Sequence, residues 1–225
     1  DPTLSVSEVA LACGFASLAA FSRAFKARFG MSPTQWDRVD ALVAAPARGD
    51  LPSYHITELQ TTCPQEFTVQ FRQMPAQHLA YIRVDDAYCD GQRIEAAYQR
   101  LLDWYQGRGG KLHETMLYGM SQDDPDITPQ ELCRFDWCLR VPDDWGNEGE
   151  IGIREFPSCL LAVIRITGGL ELESRALQYF WRCWLPRSRY QPRNLPSMEI
   201  YRKYPHQTGW WDTFHIDLAV PVTRL

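Results

Sequence analysis

The chain has 225 residues, 45% of them apolar, and carries 23 Lys and Arg against 28 Asp and Glu, a formal charge of -5. This length and apolar share suit two domains rather than one helical module, and the acidic balance excludes a protein that coats nucleic acid over its whole surface. Its seven cysteines are scattered, with no Cys-x-x-Cys pair and no nearby histidine spacing, so no zinc site or other cofactor is expected. Reduced thiols and a cytoplasmic location are the expectation, since no signal peptide or long apolar span is read.

Val6, Val9 and Ala10 recur at helical spacing, Ser5 can cap their helix, and Gly14 supplies a turn. Ser17 can cap a second helix, in which Leu18, Phe21, Phe25 and Phe29 form an apolar stripe. Ser22, Arg23, Lys26 and Arg28 are left toward water or DNA, and no acid stands against the basic residues between Ser17 and Gly30. Gly30 and Pro33 end this helix and start a third, running to about residue 44. The pattern reads as a helix-turn-helix, with Phe15, Phe21, Phe25 and Phe29 buried together; periodicity alone also allows a generic three-helix core. Residues 46–63, rich in Pro, Ala and Gly, read as a linker.

An internal repeat follows. Met74-Pro75 and the run 79–84 recur as Phe156-Pro157 and the run 161–166, 82 residues later. Each copy continues into an amphipathic helix, over 93–105 and 172–185, and then into two strand-like runs, 115–121 with 133–141 and 198–203 with 213–222. The predicted class is therefore α+β: a helical helix-turn-helix remnant over 1–45, then a duplicated β-β-α-β-β domain over 64–225 with repeats at about 66–142 and 148–222. Two such halves can leave a pseudo-two-fold ligand cleft between them.

The string Glu8-Val-Ala, Gly14-Phe15, Phe21-Ser-Arg-Ala-Phe-Lys26, Phe29-Gly30, Ser32-Pro33 resembles the second helix-turn-helix of AraC/XylS-family transcription regulators over roughly forty residues. That family carries two such motifs in tandem, so the resemblance implies that the first lies upstream. It also makes the helix from Ser17 the recognition helix, with Ser17, Ser22, Arg23 and Lys26 as its DNA-facing candidates. Family members often carry long polar side chains where this chain has Leu18, Ala19 and Ala20, which predicts weak base reading or apolar contact with thymine methyls.

Beyond residue 64, several groups in order resemble the GyrI-like, or BmrR effector-binding, domain: Pro75 with Ala80-Tyr-Ile-Arg, Gly119 with Asp124-Pro125 and Thr128-Pro129, Arg134-Phe-Asp136-Trp-Cys138, Pro196-Ser-Met-Glu199-Ile-Tyr201 and Ile216-Asp-Leu-Ala-Val-Pro221. The combination is a Rob-like arrangement. The resemblance implies an aromatic-lined cavity with a carboxylate at its floor, matched here by Glu199, that takes hydrophobic or cationic aromatic molecules. On a strand, Ser197, Glu199 and Tyr201 share one face and Met198 and Ile200 the other. Tyr201, Tyr118, Trp104, Trp137, Trp181 and Trp184 are the aromatic candidates, each with core packing as its alternative. For Glu199 the alternative is an exposed residue paired with an Arg such as Arg202. Trp210 and Trp211 suit a cavity cover or an interdomain contact.

No nucleophile elbow, phosphate-binding glycine loop or spaced Ser, His, Asp set is present, so no catalytic residue is assigned and the chain is not expected to be an enzyme. The expectation is a ligand-responsive transcription regulator whose partners are DNA, held weakly by a single motif, a small-molecule effector and RNA polymerase, with no membrane. Two alternatives come from GyrI-like relatives: hydrolysis of cyclopropane-bearing compounds, with Glu199 as base beside Tyr118 or Tyr201, and a module that binds gyrase or another partner.

Overall fold

The computed structural model describes residues 5–29, 32–35, 66–123 and 128–225. The chain falls into two compact units, Asp1–Pro64 with Trp181–Ser188, and Gln65–Phe180 with Arg189–Leu225. Of the predicted third helix only the 3-10 turn Pro33–Gln35 is described; the rest of it, the 46–63 linker and Asp124-Pro125 lie outside the described residues.

In the first unit, α1 (Val6–Ala12) begins with a capping box: the Glu8 amide donates to Ser5 Oγ at 3.2 Å, and the Ser5 amide donates to Glu8 Oε2 at 2.7 Å. Gly14, at φ +78°, makes the left-handed turn, and Ser17 Oγ accepts from the Ala20 amide in the first turn of α2 (Leu18–Phe29). Ala10 and Phe21 are buried, with Phe21 set against Phe15 at 5.3 Å and Phe25 at 5.6 Å between ring centroids. Leu18 departs from the predicted stripe and is 44% exposed. At 1.5 Å per residue α1 reaches about 10 Å, too short to cover all of α2 by itself.

The second unit is α+β. Its elements in order are β1 (Val69–Met74), β2 (Gln77–Val84), α3 (Gly91–Gly107), β3 (Leu117–Ser121), β4 (Phe135–Val141), β5 (Gly152–Phe156), β6 (Cys159–Gly168), α4 (Leu170–Gln178), β7 (Tyr190–Pro192), β8 (Ser197–Tyr201) and β9 (Phe214–Arg224). The strands form one antiparallel sheet in the order β1-β6-β9-β8-β3-β4-β2-β5, with β7 beside β9. This order is unchanged when each strand of one half is exchanged for its counterpart in the other, so the symmetry axis passes between β3 and β8. The first strand of each half pairs across to the other: Met74 of β1 lies opposite Cys159 of β6, and Phe156 of β5 opposite Gln77 of β2.

Alternation divides the sheet into two faces. One carries a continuous core that includes Leu79, Tyr118, Met120, Cys138, Leu161, Val163, Met198, Ile200 and Ala219. Its charged positions repeat the symmetry. Asp136, fully buried, accepts from Arg83 Nε at 2.8 Å and Nη2 at 2.9 Å and meets Arg154 Nη1 at 3.0 Å. Asp217 takes Arg165 at 3.0 Å, Arg72 at 2.5 Å and Arg202 at 3.3 Å. Arg72 and Arg154, like Arg83 and Arg165, stand at the 82-residue offset.

The opposite face carries the helices. α3 packs on β2 and β4 through Ile94, Ala97, Tyr98 and Leu101, and α4 packs on β6 and β9 through Ala176. The second helix is shorter than predicted: α4 ends at Gln178 and continues as a π-helical turn, Tyr179–Trp184, then a 3-10 turn, Leu185–Arg187, where Pro186 lacks the amide that a longer helix would need. Cys183 is disulfide-bonded; scattered spacing does not reveal which cysteines the fold brings together. Cys13, Cys89, Cys133, Cys138 and Cys159 are free.

Candidate ligand groove

Because α3 covers β2 and β4 while α4 covers β6 and β9, the strands between them in the sheet order, β8 and β3, form the floor between the helices. The helix-side residues there are Ser197, Glu199 and Tyr201 of β8, with Gly119 and Ser121 of β3. Gly119 lies directly opposite Glu199. A Cβ at 119 would fall 2.6 Å from Phe135 Cζ and 3.0 Å from Glu199 Oε2, so glycine is what lets the carboxylate and the Phe135 ring meet over this strand.

Aromatic rings enclose the floor on the α3 side. Trp137 donates its indole N–H to the Ile94 carbonyl at 2.9 Å, tying β4 to α3, and its ring lies 5.0 Å from Phe135, 5.3 Å from Tyr201 and 5.2 Å from Tyr98. Tyr98 in turn meets Trp210 at 4.9 Å, and Trp211 of the same loop donates to Glu95 Oε1 at 2.8 Å. Tyr88, in the turn before α3, donates to Ser121 Oγ at 2.8 Å. It is 38% exposed, yet enough protein surrounds it for burial to push its hydroxyl up to about 12.

Glu199 is only partly covered, and burial raises its pKa above the usual carboxylate value, against the lowering effect of hydrogen bonds from Tyr201 and Glu173. The Tyr201 hydroxyl donates to Glu199 Oε2. Burial first, and the Glu199 charge second, hold that hydroxyl well above its usual range. Glu173 comes from α4 and is raised well above the ordinary value by burial, then by the negative charge of Glu199. Among the described residues neither carboxyl forms an ion pair with Arg, Lys or His. Arg202 binds Asp217 and the Ile166 carbonyl instead.

The structure thus brings Glu199, Tyr201 and Trp137 together. Tyr118 points into the opposite face, bonded to Gln77 at 3.0 Å. Trp104 lies toward the far end of α3, donating to Glu148 at 2.8 Å, edge-on to Trp145 and under Arg108. Trp181, 38% exposed, and Trp184 belong to the segment grouped with the first unit. Ser17, just before α2, and Arg23 and Lys26 on it are exposed, and Ser22 is half-buried. Sequence reasoning does not single out Glu173, Tyr88, Phe135 or Tyr98. Phe135 is within its reach, being two residues from Trp137 on one strand and so on its face, whereas no local pattern points from Glu173 to Glu199.

An open hollow of about 320 Å3 elsewhere is lined by Arg83, Arg93 and Arg100, but Asp136, Asp86 and Glu150 already hold these arginines. Among the described residues no group of His, Cys, Asp and Glu could hold a metal, and no helix is long and apolar enough to cross a membrane.

A sheet of this order, with a carboxylate among aromatic side chains on the face that carries two helices, can be set beside known proteins. The GyrI-like small molecule binding domain matches residues 67–222. The chain belongs to this family. A helix-turn-helix domain matches residues 1–38. Over 113 residues the chain is 26% identical to the "SPbeta prophage-derived putative transcriptional regulator YosT" of Bacillus subtilis (strain 168), an alignment covering 50% of this chain and 72% of that one. Among solved structures, the EcmrR C-terminal domain superposes with a TM-score of 0.54 at 15% identity, covering 71% of this chain and 99% of that domain. EcmrR in its DNA complex superposes with a TM-score of 0.55 at 14% identity, covering 72% of this chain and 59% of EcmrR. These two likenesses establish the fold. A helix-turn-helix joined to a GyrI-like small-molecule domain is a ligand-responsive transcription regulator, and both sequence resemblances hold.

Proposed function

We propose that the groove floored by Glu199 is the effector site of this regulator, and that its effector is a hydrophobic molecule with aromatic rings and a positive charge. One observation carries the reading: a carboxylate set among aromatic rings, with no basic partner among the described residues. A carboxylate in such surroundings either holds a proton or waits for a cation. Tyr88, partly exposed, supplies a ring face worth about 0.5–2 kcal/mol to a cation that reaches it, beside the buried rings of Trp137 and Tyr201. Under this reading residues 1–45 bind DNA through Arg23 and Lys26 of α2, residues 46–63 link the parts, and 64–225 sense the effector. EcmrR, of the same fold in its C-terminal domain, has been solved on DNA.

Titrating planar cationic aromatics should quench tryptophan fluorescence, and Glu199→Gln should weaken these ligands at least about tenfold while sparing neutral analogues of the same shape, as expected when roughly 1.4 kcal/mol of attraction is removed. Equal weakening of both kinds would overturn the reading. The Tyr201 hydroxyl on Glu199 also favours a second reading, hydrolysis with Glu199 as general base. In that case mass spectrometry would show the compound consumed with turnover, and Glu199→Gln would stop consumption while leaving binding in place.

A further inference from the structure

Glu173, Ala176 and Phe180 follow one another at helical spacing, and Ala176 and Phe180 are buried, so Glu173 lies on the sheet side of α4 near its first turn. There its carboxyl hydrogen-bonds to that of Glu199, which also accepts the Tyr201 hydroxyl. Among the described residues the titratable groups that act on this pair are Tyr201 on β8 and Tyr88 in the turn before α3, with Tyr98 of α3 beside Tyr201; none of them is a base. Two buried carboxyls in hydrogen-bond contact, without a base, hold a proton to higher pH than either would alone, and the pair shares that proton until its raised pKa is passed.

We infer that Glu173 is a second effector-contacting carboxyl and that a bound cation displaces the proton shared by Glu173 and Glu199, so that effector binding and proton release are one event. This rests on the cationic-effector reading above. The O–H bond of the carboxyl breaks, its proton passes to water or buffer, and the cation takes over the charge balance; nothing is oxidised or reduced. The site is thereby selective by charge. A neutral aromatic leaves the proton in place, a monocation exchanges for it, and affinity for a cation rises with pH until the empty pair has given up its proton, by at most about tenfold per pH unit.

Isothermal titration of the full chain with tetraphenylphosphonium, whose charge does not titrate, tests this in buffers of different ionisation heat between about pH 5 and 9. Up to one proton should be released per cation bound, with affinity rising with pH. Glu173→Gln should still bind the cation but with several-fold less proton release and a flatter pH profile. Neutral triphenylphosphine oxide should release none, a control that needs no variant. Cation binding without proton release and without pH dependence would overturn the inference and leave the effector site standing. Failure of the wild-type chain to bind the cation at all would overturn the effector reading and the inference with it.

Discussion

Glu173 changes the protein's response to pH even without a ligand. Burial raises its pKa above the value it has in an unfolded chain. Below that ordinary value both states are protonated and nothing differs. As pH rises past it the unfolded chain ionises while the folded chain keeps its proton, so the folded state loses stability until the raised pKa is passed, at up to about 1.4 kcal/mol per pH unit for one proton. The melting temperature of the wild-type protein should therefore fall from about pH 5 toward neutrality. Glu173→Gln should flatten that fall and melt higher at pH 8 or so, which differential scanning calorimetry across pH checks; a steeper fall in the variant would contradict the proton shared with Glu199.

At the scale of elements, the exchanged strands β1 and β5 make each half depend on the other, and the two acid clusters sit at those joints. Asp136 is opposite Arg83 on β2 and receives Arg154 from β5, so one buried carboxylate holds strands of both halves. Replacing it leaves two guanidinium groups facing one another without their counter-charge. Breaking a buried pair in this way costs about 3–5 kcal/mol, so Asp136→Ala should lower the free energy of urea unfolding by about that much. A decrease below about 1 kcal/mol would show that water screens the arginines well. The 82-residue echo predicted equivalent halves, but it carried no information about which half each first strand would join. Both pairings satisfy the same alternation of side chains, and only closure of the whole sheet distinguishes them.

For the whole molecule, regulation requires DNA contact by one part of the chain and effector contact by another. Arg23 and Lys26 are exposed on α2 and face no acid on their own helix, as a recognition helix requires. Removing a side chain that meets a phosphate lowers the dependence of log affinity on log salt by about one unit, whereas removing a bidentate bond to a base costs about 1–3 kcal/mol. Arg23→Ala should accordingly weaken operator binding by tenfold or more if it reads a base, or reduce the salt slope by about one if it meets phosphate. Gel-shift titrations over a range of salt separate the two, and an unchanged affinity and slope would remove Arg23 from the interface.

The features legible without a structure are those settled within a few residues. The Ser5 and Glu8 box, the Gly14 turn and the Phe21 packing follow from local spacing, and the period-two rule alone put Glu199 and Tyr201 on one face with Met198 and Ile200 on the other. The same rule separates Tyr118 from Gly119, its neighbour in the chain, and so from the groove. Leu18 and Trp104 show where such reasoning stops. Apolar character declares that a side chain gains by leaving water, not which neighbour will cover it, and Trp104 found Trp145 and Arg108. Only tertiary packing decided that Glu173 should stand beside Glu199, twenty-six positions away, and that Tyr88 should reach Ser121. The charge balance of the groove follows from those neighbours, because the environment of a carboxyl is set by whatever the fold places within a few ångströms of it, at any distance along the chain.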